Sequence, residues 1–100
     1  MNVLLIEDRY YNFILKVLKQ NLPQSKFYLF GSRAKKTNSE YSDIDIALDD
    51  NKKEIDISII NKLNSLFENS TFPYEIDIID LNNVGEKFKT KIKADLVELV

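Results

Sequence analysis

Gly31-Ser32-Arg33-Ala34-Lys35-Lys36-Thr37-Asn38-Ser39-Glu40-Tyr41-Ser42-Asp43-Ile44-Asp45 (GSRAKKTNSEYSDID) is the stretch whose reading decides the fold. It follows Lys26–Phe30 (KFYLF), an aromatic-rich run that reads as a strand broken by Gly31. A tight Gly-Ser turn presents backbone N–H groups and a hydroxyl, the donors that phosphate oxygens need. Ten residues separate Ser32 from Asp43. From Asp43 to Leu48 the chain alternates: Ile44, Ile46 and Leu48 on one side, Asp43, Asp45 and Ala47 on the other. The two aspartates therefore share one face of a strand, about 6.6 Å apart.

Outward from this segment, residues 6–21 carry Ile6, Tyr10, Phe13, Ile14, Val17, Leu18 and Asn21 at helical spacing, and Pro23 ends the element. Residues 33–36 suit a short helix whose N-terminus lies at Gly31-Ser32, and 37–42 a polar loop. A charged turn over 49–53 leads to a second long helix. That helix begins at Ile55 or Ile57, ends at Glu68, and has Ile59, Ile60, Leu63, Leu66 and Phe67 on its apolar side. A turn cluster over 69–73 precedes a third strand at 74–79, with Tyr74, Ile76 and Ile78 facing one way and Glu75, Asp77 and Ile79 the other. Asn83 and Glu86 have capping-box spacing, which predicts a last helix bearing Val84, Phe88 and Ile92 and ending at Ala94-Asp95. Residues 96–100 (LVELV) suit a short edge strand, a ready pairing surface. The expectation is an α+β domain occupying residues 1–100, with a small mixed sheet flanked by helices.

Composition narrows the chemistry. The chain has 100 residues, no cysteine and no histidine. Thiol catalysis, cysteine zinc sites, serine–histidine triads and histidine metal ligands are therefore excluded. Carboxylates, lysines, hydroxyls and a bound metal remain. With 14 basic and 16 acidic side chains the net charge is −2, a poor footprint for direct nucleic-acid binding. No run approaches the roughly 18 apolar residues that span a membrane, and the N-terminus lacks the pattern of a signal peptide. A cytoplasmic location is the expectation.

A lone D-x-D on a strand is usually just solvated. Here that explanation accounts for less. Aspartate is disfavoured in strands, and like charges on one face repel. Two carboxylates about 5 Å apart repel by about 3 kcal/mol at an effective dielectric near 20. Asp77 sits mid-strand as well, and joins the same face if the two strands pair. A divalent cation removes the penalty, and magnesium favours a few carboxylates plus substrate phosphates. Arg33, nearest the Gly-Ser turn, is the cation expected to offset phosphate charge. Tyr41, inside the loop, is a candidate neighbour of base or acceptor. Asp49, Asp50, Asp56 and Asp80 lie at element ends, where caps and turns explain them.

These residues resemble the minimal nucleotidyltransferases of the DNA polymerase β superfamily. The family pattern is G-S, a spacer, D-x-D on a strand and a further acidic residue on a later strand. It matches Gly31, Ser32, Asp43 and Asp45, with Asp77 as the third carboxylate, and the order of elements agrees along essentially the whole chain. One departure is that Lys35-Lys36 stands where the family often has Arg-Gly. The resemblance implies Gly31, Ser32 and Arg33 at the nucleotide phosphates, and Asp43, Asp45 and Asp77 holding two Mg2+ ions. Asp77 would also help to deprotonate the acceptor hydroxyl. It further implies ATP as substrate and a small helical toxin of the HEPN type as partner in a hetero-oligomer, since an acceptor platform is expected from another molecule. The reaction implied is transfer of AMP to a tyrosine of that toxin, with the chain as antitoxin. The competing expectation is a non-catalytic module that binds nucleotide or partner and blocks the toxin sterically.

Overall fold

A computed structural model describes residues 2, 4–40 and 42–99. The elements run α1 (Asp8–Asn21), β1 (Lys26–Phe30), α2 (Gly31–Lys35), β2 (Ile44–Asp49), α3 (Ile57–Glu68), β3 (Ile76–Asp80), α4 (Glu86–Lys93) and β4 (Val97–Glu98). This is the predicted order. Tyr41, Val100 and the expectations attached to them lie outside the described residues.

The four strands form one mixed sheet in the order β3-β2-β1-β4. β1 is antiparallel to β2 and to β4, while β2 and β3 run parallel. A parallel pair needs a crossover, and α3 supplies it. Alternation along β2 then sorts residues between two faces. Ile44, Ile46 and Leu48 join Phe27 and Leu29 under α1 and α3, where Ile14, Leu18, Leu63 and Phe67 close the main core. Ala47 points to the other face, where Phe30, Leu81 and Ile92 form a smaller cluster beneath α4. Two helices thus cover one face, and α4 covers part of the other.

Several boundaries differ from expectation for local reasons. α1 starts at Asp8 because Asn2 holds the preceding segment: its Nδ2 donates to Ile6 O at 2.7 Å, and its Oδ1 accepts from Ile6 N at 3.3 Å. Tyr11 occupies the buried stripe of this helix, with Tyr10 only half-buried. α2 begins at Gly31, where its N-terminus is expected, and stops one residue short of expectation, at Lys35, because Lys36 turns left-handed at φ 60°. α3 starts at Ile57, capped by Asp56, whose carboxylate accepts from Ser58 N at 2.8 Å. β3 starts at Ile76 rather than Tyr74 and runs on to Asp80. The Asn83 capping box does not form. Asn83 N donates to Asp80 O in a turn, and Gly85 is the N-cap of α4 without a side-chain cap. β4 is two residues long, and Leu99 N donates to Phe27 O at 2.8 Å, so it borders β1.

Candidate active site

The antiparallel register places Phe30, the last residue of β1, opposite Asp45 on β2. The parallel register places Asp77 on β3 opposite Asp45 from the other side. Asp43 lies just before β2 begins. One strand position thus gathers the Gly-Ser turn and two carboxylates, with the third two residues upstream on the same face.

Gly31 is essential to this arrangement. Its φ is +74°, in the left-handed region that side chains disfavour, and a Cβ there would run into Asp45 Oδ2 and stand 3.1 Å from Asp45 Cγ. The absence of a side chain is what lets the turn approach the carboxylate. Ser32 follows in the first turn of α2, half-buried.

Electrostatics mark Asp45 out. Its carboxyl is pushed up to about 6, first by burial, then by the charges of Asp77 and Asp43, and last by a hydrogen bond with Asp77. Asp45 is half-buried, whereas Asp43 and Asp77 are exposed. Asp77 and Asp43 thus both bear on Asp45, which lies at the centre of the expected trio. Among the described residues no three such groups form a ready-made metal cage. What the fold offers is an open acidic patch next to a side-chain-free turn. A divalent cation would offset the repulsion at its central carboxyl, and ions that keep water and substrate phosphates as ligands suit an open patch.

Arg33 is placed differently from the expectation that it meets phosphate. It is buried, and its guanidinium serves the loop. Nε donates to Ser42 O at 3.1 Å, Nη2 donates to Ser42 O at 2.9 Å and Glu40 O at 3.1 Å, and Nη1 donates to Leu4 O at 3.4 Å. The guanidinium also lies over the Tyr74 ring at 5.2 Å. Arg33 thereby pins the spacer to β3's approach and sets the entry into Asp43. Sequence reading recognised its charge but not the carbonyls that would consume its donors.

Of the other acids, Asp80 is buried and accepts from Ile55 N at 2.7 Å and Asn82 N at 3.0 Å. Asp49 is lowered by hydrogen bonds from Asn82 and the Lys52 backbone. Both hold turns at the far end of β2 and β3, as their positions suggested. A group that sequence reading passed over lies beside the turn: Lys87 and Lys91 of α4 line a cavity of about 420 Å³ together with Gly31 and Lys35. Their four-residue spacing on one helix face was the available signal. Among the described residues no helix is long and apolar enough to cross a membrane.

Comparison with known proteins agrees with this fold. Residues 12–100 match the family model for polymerase β, nucleotidyltransferase. The chain is 30% identical over 77 residues to a protein of Haemophilus influenzae named probable protein adenylyltransferase MntA, covering 77% of this chain and 67% of that one. A crystal structure of a toxin–antitoxin with AMP-PNP superposes with a TM-score of 0.65 at 28% identity, over 90% of this chain and 72% of that one. The structure of a tri-AMPylated Shewanella oneidensis HEPN toxin in complex with MNT antitoxin gives 0.62 at 25% identity, over 95% of this chain and 72% of that one. The chain belongs to the polymerase β nucleotidyltransferase family, as one of its minimal nucleotidyltransferases.

Proposed function

We propose that this nucleotidyltransferase takes ATP, transfers AMP to a tyrosine hydroxyl of a HEPN-type toxin, and so acts as its antitoxin in a cytoplasmic hetero-complex. The observation that carries the reading is the register that sets Asp45 between Asp77 and the end of β1, with Gly31 closed against it. The AMP-PNP of one similar complex supports ATP, and the AMPylated toxin of another supports the acceptor.

In this reading Gly31 and Ser32 hold the phosphates through backbone N–H groups and the Ser32 hydroxyl. N–H groups in the first turn of a helix have no partner four residues back, which leaves them for an anion. Asp43, Asp45 and Asp77 would hold Mg2+, two ions by family resemblance. When bound, Mg2+ supplies charge stabilisation at the entering and leaving oxygens of an in-line displacement. The acceptor oxygen forms a bond to the α-phosphorus, and the bond from that phosphorus to the β-phosphate bridging oxygen breaks. Pyrophosphate carries off that electron pair, and Asp77 receives the hydroxyl proton. Asp45 keeps its carboxyl where ligand and neighbour meet, and Arg33 fixes the backbone leading to Asp43. Such catalysis is mainly positioning and electrostatics, which suits a site without histidine.

The test is transfer of label from α-labelled ATP, with magnesium, to the toxin encoded with the chain. Wild type should label it, and Asp45→Asn should lower the rate roughly a thousandfold, the order of loss when a main electrostatic stabiliser is removed. Equal labelling by the variant overturns the catalytic assignment. Full neutralisation of the toxin by that unreactive variant would favour the steric alternative.

A further inference from the structure

Arg33 is committed to the loop, so the anion expected beside Gly31 needs a different cation. A cavity of about 420 Å³ opens on the side of Gly31 where α4 crosses the sheet. Lys35 of α2 and Lys87 and Lys91 of α4 line it, with Asp95 the one acid among its walls. Phe30, Phe88 and Ile92 also line it; the two rings meet edge to face, with centroids 6.1 Å apart. Three lysines against one aspartate leave surplus positive charge. Lys35 is only loosely tied to Asp95, at 3.7 Å, with the lysine exposed and the aspartate half-buried. Among the described residues neither Lys87 nor Lys91 makes an ion pair.

Helix stability accounts for Lys91 but not for Lys87. Lys91 and Lys93 suit the last turn of α4, but Lys87 lies in its first turn, where a cation opposes the helix dipole. Like charges four residues apart also repel on a helix. The lysines of α4 divide by face: Lys89 acts on Asp49 at the far end of β2, while Lys87 and Lys91 flank the cavity. The acidic patch lies on the Asp45 side of Gly31 and repels anions, so a multiply charged anion seated at the turn is driven toward the lysines.

Resting on the nucleotidyltransferase reading above, we propose that Lys87 and Lys91, with Lys35, form the site for the polyphosphate tail of the nucleotide, the part that leaves as pyrophosphate. They are the cationic counterpart to the carboxylates across Gly31, and they make the site prefer triphosphates to monophosphates.

The experiment is calorimetry on the full chain at low ionic strength with magnesium, using AMP-PNP, AMP and inorganic tripolyphosphate as probes. Wild type should bind AMP-PNP and tripolyphosphate. Lys87→Ala and Lys91→Ala should each weaken both about tenfold, the usual scale for a charge-assisted hydrogen bond, and change AMP binding less than twofold. Lys87→Arg and Lys91→Arg should restore most of the affinity, and Lys62→Ala, on α3 across the sheet, should change nothing. Equal weakening of AMP and AMP-PNP, unchanged AMP-PNP binding in the Lys87→Ala, Lys91→Ala double variant, or no binding of tripolyphosphate to wild type would each overturn the proposal. The labelling assay separates the two claims. If wild type labels the toxin while the double variant keeps the same KM for ATP, the lysine site is wrong and the transfer reading survives. If wild type labels nothing while the lysine variants lose tripolyphosphate, the reverse holds.

Discussion

The two faces of the sheet are built from the same strands and are closed in opposite ways. Under α1 and α3, Leu29, Ile44, Ile46 and Leu48 are fully buried and apolar. On the α4 side the same strands present Asp45, Asp77 and Ala47, and only part of that surface is covered. One residue's shift along β2 separates a core position from a carboxylate. The first face holds the fold together. The second carries carboxylates that no ion pair among the described residues offsets, the condition under which we propose it binds a cation and a polyphosphate.

This contrast can be broken at its strongest point first. Ile46→Ala on the core face should cost about 3 kcal/mol through lost burial and a residual cavity, read as a lowered midpoint in urea unfolding. Gly31→Ala on the site face should cost about 2 kcal/mol from left-handed strain. It should also displace Asp45, so nucleotide binding falls even where the protein stays folded, as shown by circular dichroism beside calorimetry. If Gly31→Ala binds AMP-PNP normally, the close approach of turn and carboxylate has no functional weight.

Asp45→Asn should act in the opposite direction on stability. The Asp45 carboxyl is raised from 3.8 to about 6 in the folded chain, so the native state holds its proton more tightly than the unfolded state. Its contribution to stability is complete below about pH 3.8 and is lost as pH rises through about 6. At pH 7.5 without metal the ionised group opposes folding. Removing its charge should then raise stability by about 1 kcal/mol, after allowing for solvent screening of a half-buried group. Differential scanning calorimetry at pH 5 and pH 7.5 checks this: the advantage of Asp45→Asn should shrink at the lower pH. Added magnesium and AMP-PNP should reverse the order, because only wild type gains binding energy. Smallest of all, Leu66→Ser should change stability by less than about 0.5 kcal/mol. Leu66 shares the apolar side of α3 by spacing, yet it is 40% exposed.

Leu66 also shows what a sequence leaves open. Period-two alternation in β2 was readable because neighbouring side chains on a strand must diverge, and it sorted Ile44, Asp45, Ile46 and Ala47 correctly between the faces. Helical spacing located α3 but not the width of the stripe that α1 would cover. The pairing of Asp45 with Asp77 is a non-local register, so the sequence offered the two acids but not their alignment. Arg33 was legible as a charge and illegible as a loop pin, since its partners are the backbone carbonyls of Leu4, Glu40 and Ser42. Backbone acceptors leave no trace in side-chain composition. For the same reason Asn83 read as a cap, whereas its backbone is engaged in the turn after Asp80 and Gly85 opens α4.

The central claim is that Asp43, Asp45 and Asp77 meet beside Gly31 to seat a metal-loaded triphosphate. Titration of the chain with AMP-PNP in the presence and absence of magnesium tests it most directly. Saturable binding that requires magnesium, and that disappears in both Asp45→Asn and Asp77→Asn, is the predicted result. Binding that ignores magnesium, or that survives unchanged in those two variants, would contradict it.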